Sequence, residues 1–269
     1  MNTATIHSVR DVLQASTDVL SAFPGQPWWR GHGEEDWQLV PKVHREDRGI
    51  AYEANLINKF VQRAPTRHSS CPEPGQLSRW LFLAQHYGLP TRLLDWTESP
   101  LIALYFAVWE DQCLEKPGAL WALDPYALTE RAIGERAICQ PGYLVAHELI
   151  ESAFNYERAD DNRIVALVTE EVDLRMMVQL SGLTIHGSLD PLESLTDVGL
   201  FVRKYVVDAA AKEDIRRELK SIGIRERSVF PDLDHLANDL RGDWYGHPAE
   251  TRPETHPADR PATGGGSST

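Results

Sequence analysis

The run from Pro100 to Trp109 reads Pro-Leu-Ile-Ala-Leu-Tyr-Phe-Ala-Val-Trp, without a single charge. A helix that is apolar all round cannot lie on a surface, so the chain must wrap protein around this segment. A membrane span needs roughly 18 or more consecutive apolar residues, which no part of the sequence approaches. Burial in a protein core is the reading that remains. Ser99-Pro100 marks the start, with a hydroxyl for the N-cap and a proline whose missing N–H is harmless at the first helical position.

A second helix is expected over residues 76 to 87, where Leu77, Trp80, Leu81, Ala84 and Tyr87 share one stripe and Gly88 supplies a stop. Between the two helices runs Gln85 to Ser99, with His86, Tyr87, Thr91, Arg92, Asp95, Thr97 and Ser99 in close succession. Leu89 to Thr97 is read as a polar-apolar loop. Polar groups drawn between two apolar helices must find partners. In one reading Arg92 and Asp95 form a buried brace while Thr97 and Ser99 cap the next helix. In the other, the helix start at Ser99 and the side chains before it present donors to an anionic ligand such as a pyrophosphate.

Elsewhere Ile6, Val9, Val12 and Leu13 are spaced for one helix face, and Pro24 to Pro27 ends that element. Trp28 to Gly31 reads as a strand end, with Gly31 and Gly33 permitting a turn directly after it. Residues 51 to 64 form another amphipathic helix. Strands are expected at Ala119–Leu123, Ile164–Val168 and Leu200–Val207, and helices near 170–180 and 210–222. Helices and short strands without regular alternation indicate an α+β fold, one compact domain with short mixed or antiparallel strands split around a cleft and flanked by helices. Residues 1–24 are read as an N-terminal helix, 25–241 as the domain proper and 242–269 as a disordered tail, because Pro248 to Thr269 is poor in apolar residues and ends in Gly-Gly-Gly-Ser-Ser-Thr.

A formal net charge of −13 argues against a protein whose main task is to coat nucleic acid. Cys71, Cys113 and Cys139 are widely spaced and odd in number, so reduced thiols are expected, with neither a disulfide framework nor a metal site. The first thirty residues lack a charged start followed by an apolar stretch, and a cytoplasmic location is expected. There is no His-Glu-x-x-His, Cys-x-x-Cys or Gly-x-Ser-x-Gly, which leaves zinc hydrolase, redox and serine hydrolase chemistries without an anchor.

Several of these segments resemble one family. Trp29-Arg30-Gly31 followed by Trp37-Gln38-Leu39-Val40-Pro41, the block from Gln85 to Ala107, Arg175 with Gln179-Leu180-Ser181-Gly182, and Gly223-Ile224 leading to Phe230-Pro231-Asp232-Leu233 together look like the FRG domain. Trp29 stands where the name-giving phenylalanine would be. In the same order the chain is similar to mono-ADP-ribosyltransferases of the Arg-Ser-Glu type. Those carry an aromatic-Arg-Gly strand, a Ser-Thr-Ser strand leading to a helix with Ala-x-x-Phe-Ala, and a late glutamate strand. Arg30 matches the first element, Thr97-Glu98-Ser99 with Ala103 to Ala107 the second, and Glu226 the third.

The resemblance implies an ADP-ribosyltransferase-like arrangement that uses NAD as substrate. Glu226 would stabilise an oxocarbenium-like ribose, and Arg30 would hold the pyrophosphate or ribose by forked hydrogen bonds. Gly31, His86, Tyr87, Thr91, Arg92, Asp95, Thr97, Ser99, Gln179 and His186 would line or brace the dinucleotide groove. Ile224 stands where many such enzymes carry a second Glu or Gln, which leaves acceptors other than arginine open, protein or nucleic acid. A toxin or antiphage defence effector is the implied setting. The alternative is a non-catalytic module that binds a nucleotide or nucleic acid in the same cleft. For His186, period-two alternation puts the ring on the same side as Thr184, which suits a core histidine as well as a site residue.

Overall fold

The computed structural model describes residues 4–45, 51–156, 162–168, 181–233, 235–237 and 240. Their strands form one mixed sheet: β1 (Thr5–Ile6), β2 (Trp28–His32), β3 (Leu93–Thr97), β4 (Gly118–Leu123), β5 (Ile164–Leu167), β6 (Ser181–His186) and β7 (Val202–Val207). The spatial order is β1-β7-β4-β2-β3-β6-β5. Only the β1–β7 pairing is parallel. The α+β expectation holds. Among the described residues no helix is long and apolar enough to cross a membrane.

The helices are α1 (Val9–Ala22), α2 (Ala51–Arg63), α3 (Leu77–His86), α4 (Pro100–Val108), α5 (Pro125–Ile133), α6 (Leu144–Ser152), α7 (Lys212–Ser221) and α8 (Glu226–Val229). One core joins α1, α4 and α7 to Trp29, Leu120, Ala122 and Val207 on one half of the sheet. A second joins α2, α3 and α6 to Leu93, Val165, Leu167, Leu183 and Ile185 on the other half. The opposite face carries Trp28, Leu94, Trp96, Ala119, Trp121, Leu123, Ile164 and Ala166, covered in part by Leu128 of α5. Neighbouring residues of β3, β4 and β5 thus fall in different cores, as side-chain alternation requires.

The two halves meet at a seam. Strand β2 pairs with β4 along its whole length, from Trp28↔Leu123 to His32↔Ala119. Its pairing with β3 is a single register pair, Trp29↔Thr97. Beyond that pair β2 and β3 part, and the sheet opens. Gly31 lies directly under α4, for a Cβ built on it would come within 1.8 Å of the Ala103 carbonyl oxygen and 2.7 Å of the Ala107 nitrogen. The Ala-x-x-x-Ala spacing and the glycine therefore answer one demand, close approach of helix to strand.

Helix α4 starts as its sequence implies: the Ser99 hydroxyl accepts from the Ile102 N–H at 3.3 Å, and the Thr97 hydroxyl accepts from the Ser99 N–H at 3.1 Å. Several expectations need correction. Residues 93–97 form a strand rather than a loop, because β6 supplies a full ladder from Leu93↔Ile185 to Thr97↔Ser181. Gly31 makes no turn, and the strand runs on through His32. Ile6 belongs to β1, and Leu13 is exposed on α1, where Val12, Ala15 and Val19 form the buried face. The helix expected near 170–180, residue Gln179 and the tail from 242 lie outside the described residues.

Candidate functional site

Where β2 and β3 separate in the middle of the sheet, a cleft of about 350 Å³ opens. Its lining includes Arg30, Gly31, His32, Trp37, Arg45, Gln85, His86, Asp95, Thr97, Phe106 and Glu110. This volume lies at the small end of the range common for ligand pockets.

Arg30 sits at the seam. Its Nη1 donates to the backbone carbonyl of Asp95 at 2.5 Å, spanning the gap where a β2–β3 ladder would otherwise continue. Its Nε donates to His32 Nε2 at 2.9 Å. Both acceptors are neutral, and Arg30 makes no ion pair among the described residues. Burial pulls the guanidinium pKa down to about 10, against the opposing pull of the Asp95 charge. Arg45, whose Nε donates to the Val40 carbonyl at 3.0 Å, lies on the same cleft and is also lowered by burial.

The Asp95 carboxylate points to a different partner. Gln85 Nε2 donates to Asp95 Oδ2 at 2.8 Å, and the Thr91 hydroxyl donates to Gln85 Oε1 at 2.5 Å. Thr91 is fully buried, so it orients this relay from behind the cleft wall and touches no ligand space.

Arg92 does not pair with Asp95. Its Nε donates to Glu53 Oε2 at 2.9 Å, its backbone N–H to Glu53 Oε1 at 2.7 Å, and its Nη1 to the Leu149 carbonyl and the Ser152 hydroxyl. The guanidinium thus ties α2 and α6 to the start of β3. Burial pushes the Glu53 carboxyl up, opposed by Arg92. The brace exists, with a partner 39 residues earlier in place of one three residues later, while Asp95 turns its carboxylate to Gln85 of α3.

His186 is fully buried, and the Thr184 hydroxyl lies 2.9 Å from its Nε2. Trp96 Nε1 donates to the same hydroxyl at 3.1 Å. Burial drives the His186 pKa well below its ordinary value. The shared side with Thr184 is as alternation implies, and the ring packs in the core, outside the cleft lining. Tyr87 is 56% exposed, its ring edge-on to His86 at 5.1 Å and to His68 at 5.9 Å.

Glu226 stands apart from Arg30. It is the first residue of the short helix α8, not part of a strand, and lines a second, more open groove with Tyr105, Trp109, Arg216, Lys220 and Ile224. The two hollows share Glu110, at the end of α4. Arg30, Gly31, His86, Asp95 and Thr97 are therefore brought together, while Tyr87, Thr91, Arg92, Ser99, His186 and Glu226 lie outside that lining.

Sequence reading named none of His32, Trp37, Arg45, Gln85 and Glu110 as site residues, although Trp37 and Gln85 stand in the family motifs. For His32 a signal existed: two positions after Arg30 on a strand, it must face the same way. Arg45 comes from a segment without periodicity, which carries no comparable mark.

Residues 25–115 match the family model of the FRG domain. No curated protein and no solved structure matches the chain. The matched stretch contains β2, α2, α3, β3 and α4, and hence every cleft residue named above.

Proposed function

We propose that the cleft binds NAD and that the chain cleaves the nicotinamide–ribose bond, passing ADP-ribose to an acceptor or to water. The observation that carries this reading is the Arg30 guanidinium, half-buried at the seam with neutral hydrogen-bond partners and no ion pair among the described residues. A cation so held is stabilised by an anion in the cleft, and its free N–H groups suit a pyrophosphate fork. Arg45 adds a second positive group, and Trp37, Phe106 and His86 offer ring surfaces for a base or a nicotinamide. The adjacency of the Arg30 strand to the Thr97 strand and its following helix agrees with the first two elements of the ADP-ribosyltransferase resemblance.

In the proposed step the bond between ribose C1′ and the pyridinium nitrogen breaks, its electron pair leaving with neutral nicotinamide. The cationic ribose is captured by a hydroxyl, an amine or water, which gives up a proton. A carboxylate beside the ribose stabilises the positive charge as it develops. Asp95 is the favoured source because it lies in the cleft and is oriented by Gln85. Glu226, which lines the adjoining groove, is the comparator. A binding module without turnover is the second reading, favoured by the separation of Glu226 from the cleft lining.

Purified protein incubated with NAD labelled in the adenosine half is expected to release nicotinamide and transfer or liberate labelled ADP-ribose. Arg30→Ala should abolish both binding and turnover. Binding without nicotinamide release would leave the second reading standing; absence of NAD binding would remove both.

A further inference from the structure

We propose that His32 is the positioning residue for Arg30, a neutral acceptor that fixes the guanidinium for an anion without cancelling its charge. The proposal deepens the anion-binding half of the function given above and rests on it.

The ring is 3% exposed and lies on β2, on the same side as Arg30. Its Nδ1 is 3.0 Å from the Trp37 carbonyl oxygen, a contact only a donor can make, so Nδ1 carries the proton. Nε2 then holds the lone pair, and the Nε–H of Arg30 meets it at 2.9 Å. A doubly protonated ring would set two donors against each other at that contact. Both neighbours therefore impose the same neutral tautomer. Trp37 and Trp121 hold the ring plane, with centroids at 6.1 and 6.4 Å. Burial, then the Arg30 charge, lowers the His32 pKa to about 2, in keeping with that geometry.

A carboxylate is the usual partner of a desolvated guanidinium, since it offsets the charge and fills the fork. An imidazole lone pair supplies direction alone. With Nε committed to His32 and one Nη1 hydrogen to the Asp95 carbonyl, the orientation of the guanidinium is set at two points and its charge remains available. The Trp37 carbonyl links this arrangement to the segment after β2, whose indole also lines the cleft.

The test compares His32→Gln with His32→Glu in the full chain. The two side chains have the same size and both offer an oxygen to Arg30, so their difference isolates charge. Binding of NAD and of inorganic pyrophosphate is followed through quenching of tryptophan emission, Trp29, Trp37 and Trp96 all lining the cleft. The Glu variant should bind pyrophosphate about tenfold or more weakly than the Gln variant, with a shallower dependence on salt. Equal affinities would overturn the assignment. Pyrophosphate bound and NAD refused would remove the NAD reading alone, whereas wild-type protein that binds neither removes both. Nitrogen-15 spectra of the wild-type imidazoles give an answer that does not depend on how the variants fold. His32 should show a protonated Nδ1 and bare Nε2 unchanged from pH 8 to pH 5, and the opposite tautomer or a titrating ring would overturn the proposal.

Discussion

The guanidinium of Arg30 reaches across the seam of the sheet to the backbone carbonyl of Asp95, 65 residues later in the chain and 2.5 Å away. A side chain here takes the place of a ladder hydrogen bond. The wedge between β2 and β3 stays open because its exposed carbonyl is already satisfied. The same aspartate turns its carboxylate toward Gln85, so one residue offers its main chain to the cation and its charge to the cleft.

Replacing Asp95 by Asn keeps the carbonyl and its bond to Arg30 while removing the negative charge. On the proposed chemistry, kcat for nicotinamide release should fall by about 10² to 10³, with a smaller change in KM. Glu226→Gln, in the adjoining groove, should change kcat by less than about tenfold. Steady-state kinetics on both variants decides between the two carboxylates.

Gly31→Ala forces a methyl group against the Ala103 carbonyl, which is backbone and cannot swing aside. Relief requires α4 to lift away from β2, in the manner of an overpacked core. A loss of about 1–3 kcal/mol or more is expected in urea unfolding. Arg30 contacts should weaken at the same time, because β2 carries both residues.

Arg92→Ala leaves the Glu53 carboxylate buried without its partner, together with the Leu149 carbonyl and Ser152 hydroxyl that the guanidinium joined. Removal of one member of a buried pair costs about 3–5 kcal/mol. Exchanging both residues for apolar ones, Glu53→Met with Arg92→Met, should recover much of that loss. A denaturation series on the single and double variants measures the coupling.

Stability should decline as pH falls below about 6.5. His32 and His186 both have folded-state pKa values held far below the 6.5 of a free histidine, by burial in the first place. The unfolded chain takes up protons near 6.5 while the native chain refuses them. Their contribution is complete above that pH and is lost on acidification. Well below 6.5 each histidine adds about 1.4 kcal/mol per pH unit to the decline. Midpoints of urea unfolding between pH 8 and pH 5 report the slope, and His32→Gln should remove its share.

Local signals were well written into the chain. Ser99-Pro100 announced α4 by cap chemistry, the apolar stripe announced α3, and Arg30-Gly31 marked a strand with a special residue on each face. Leu89 to Thr97 misled because Arg92, Asp95 and Thr97 made the segment look like a loop. As part of a strand, Asp95 owes its exposure to the missing β2 ladder, and no feature within the segment reveals that β2 turns away. Arg92 found Glu53, and Glu226 took a place on a short helix by another groove, through packing between distant elements.

Composition, periodicity and caps determined the α+β class, the buried α4 and the strand that carries Arg30, because such signals act over a few residues at a time. Which carboxylate meets which guanidinium, and where the sheet opens, was decided only by the tertiary structure. Those outcomes depend on strand register and on how closely a helix can approach a glycine, and both are set by chain segments dozens of residues apart.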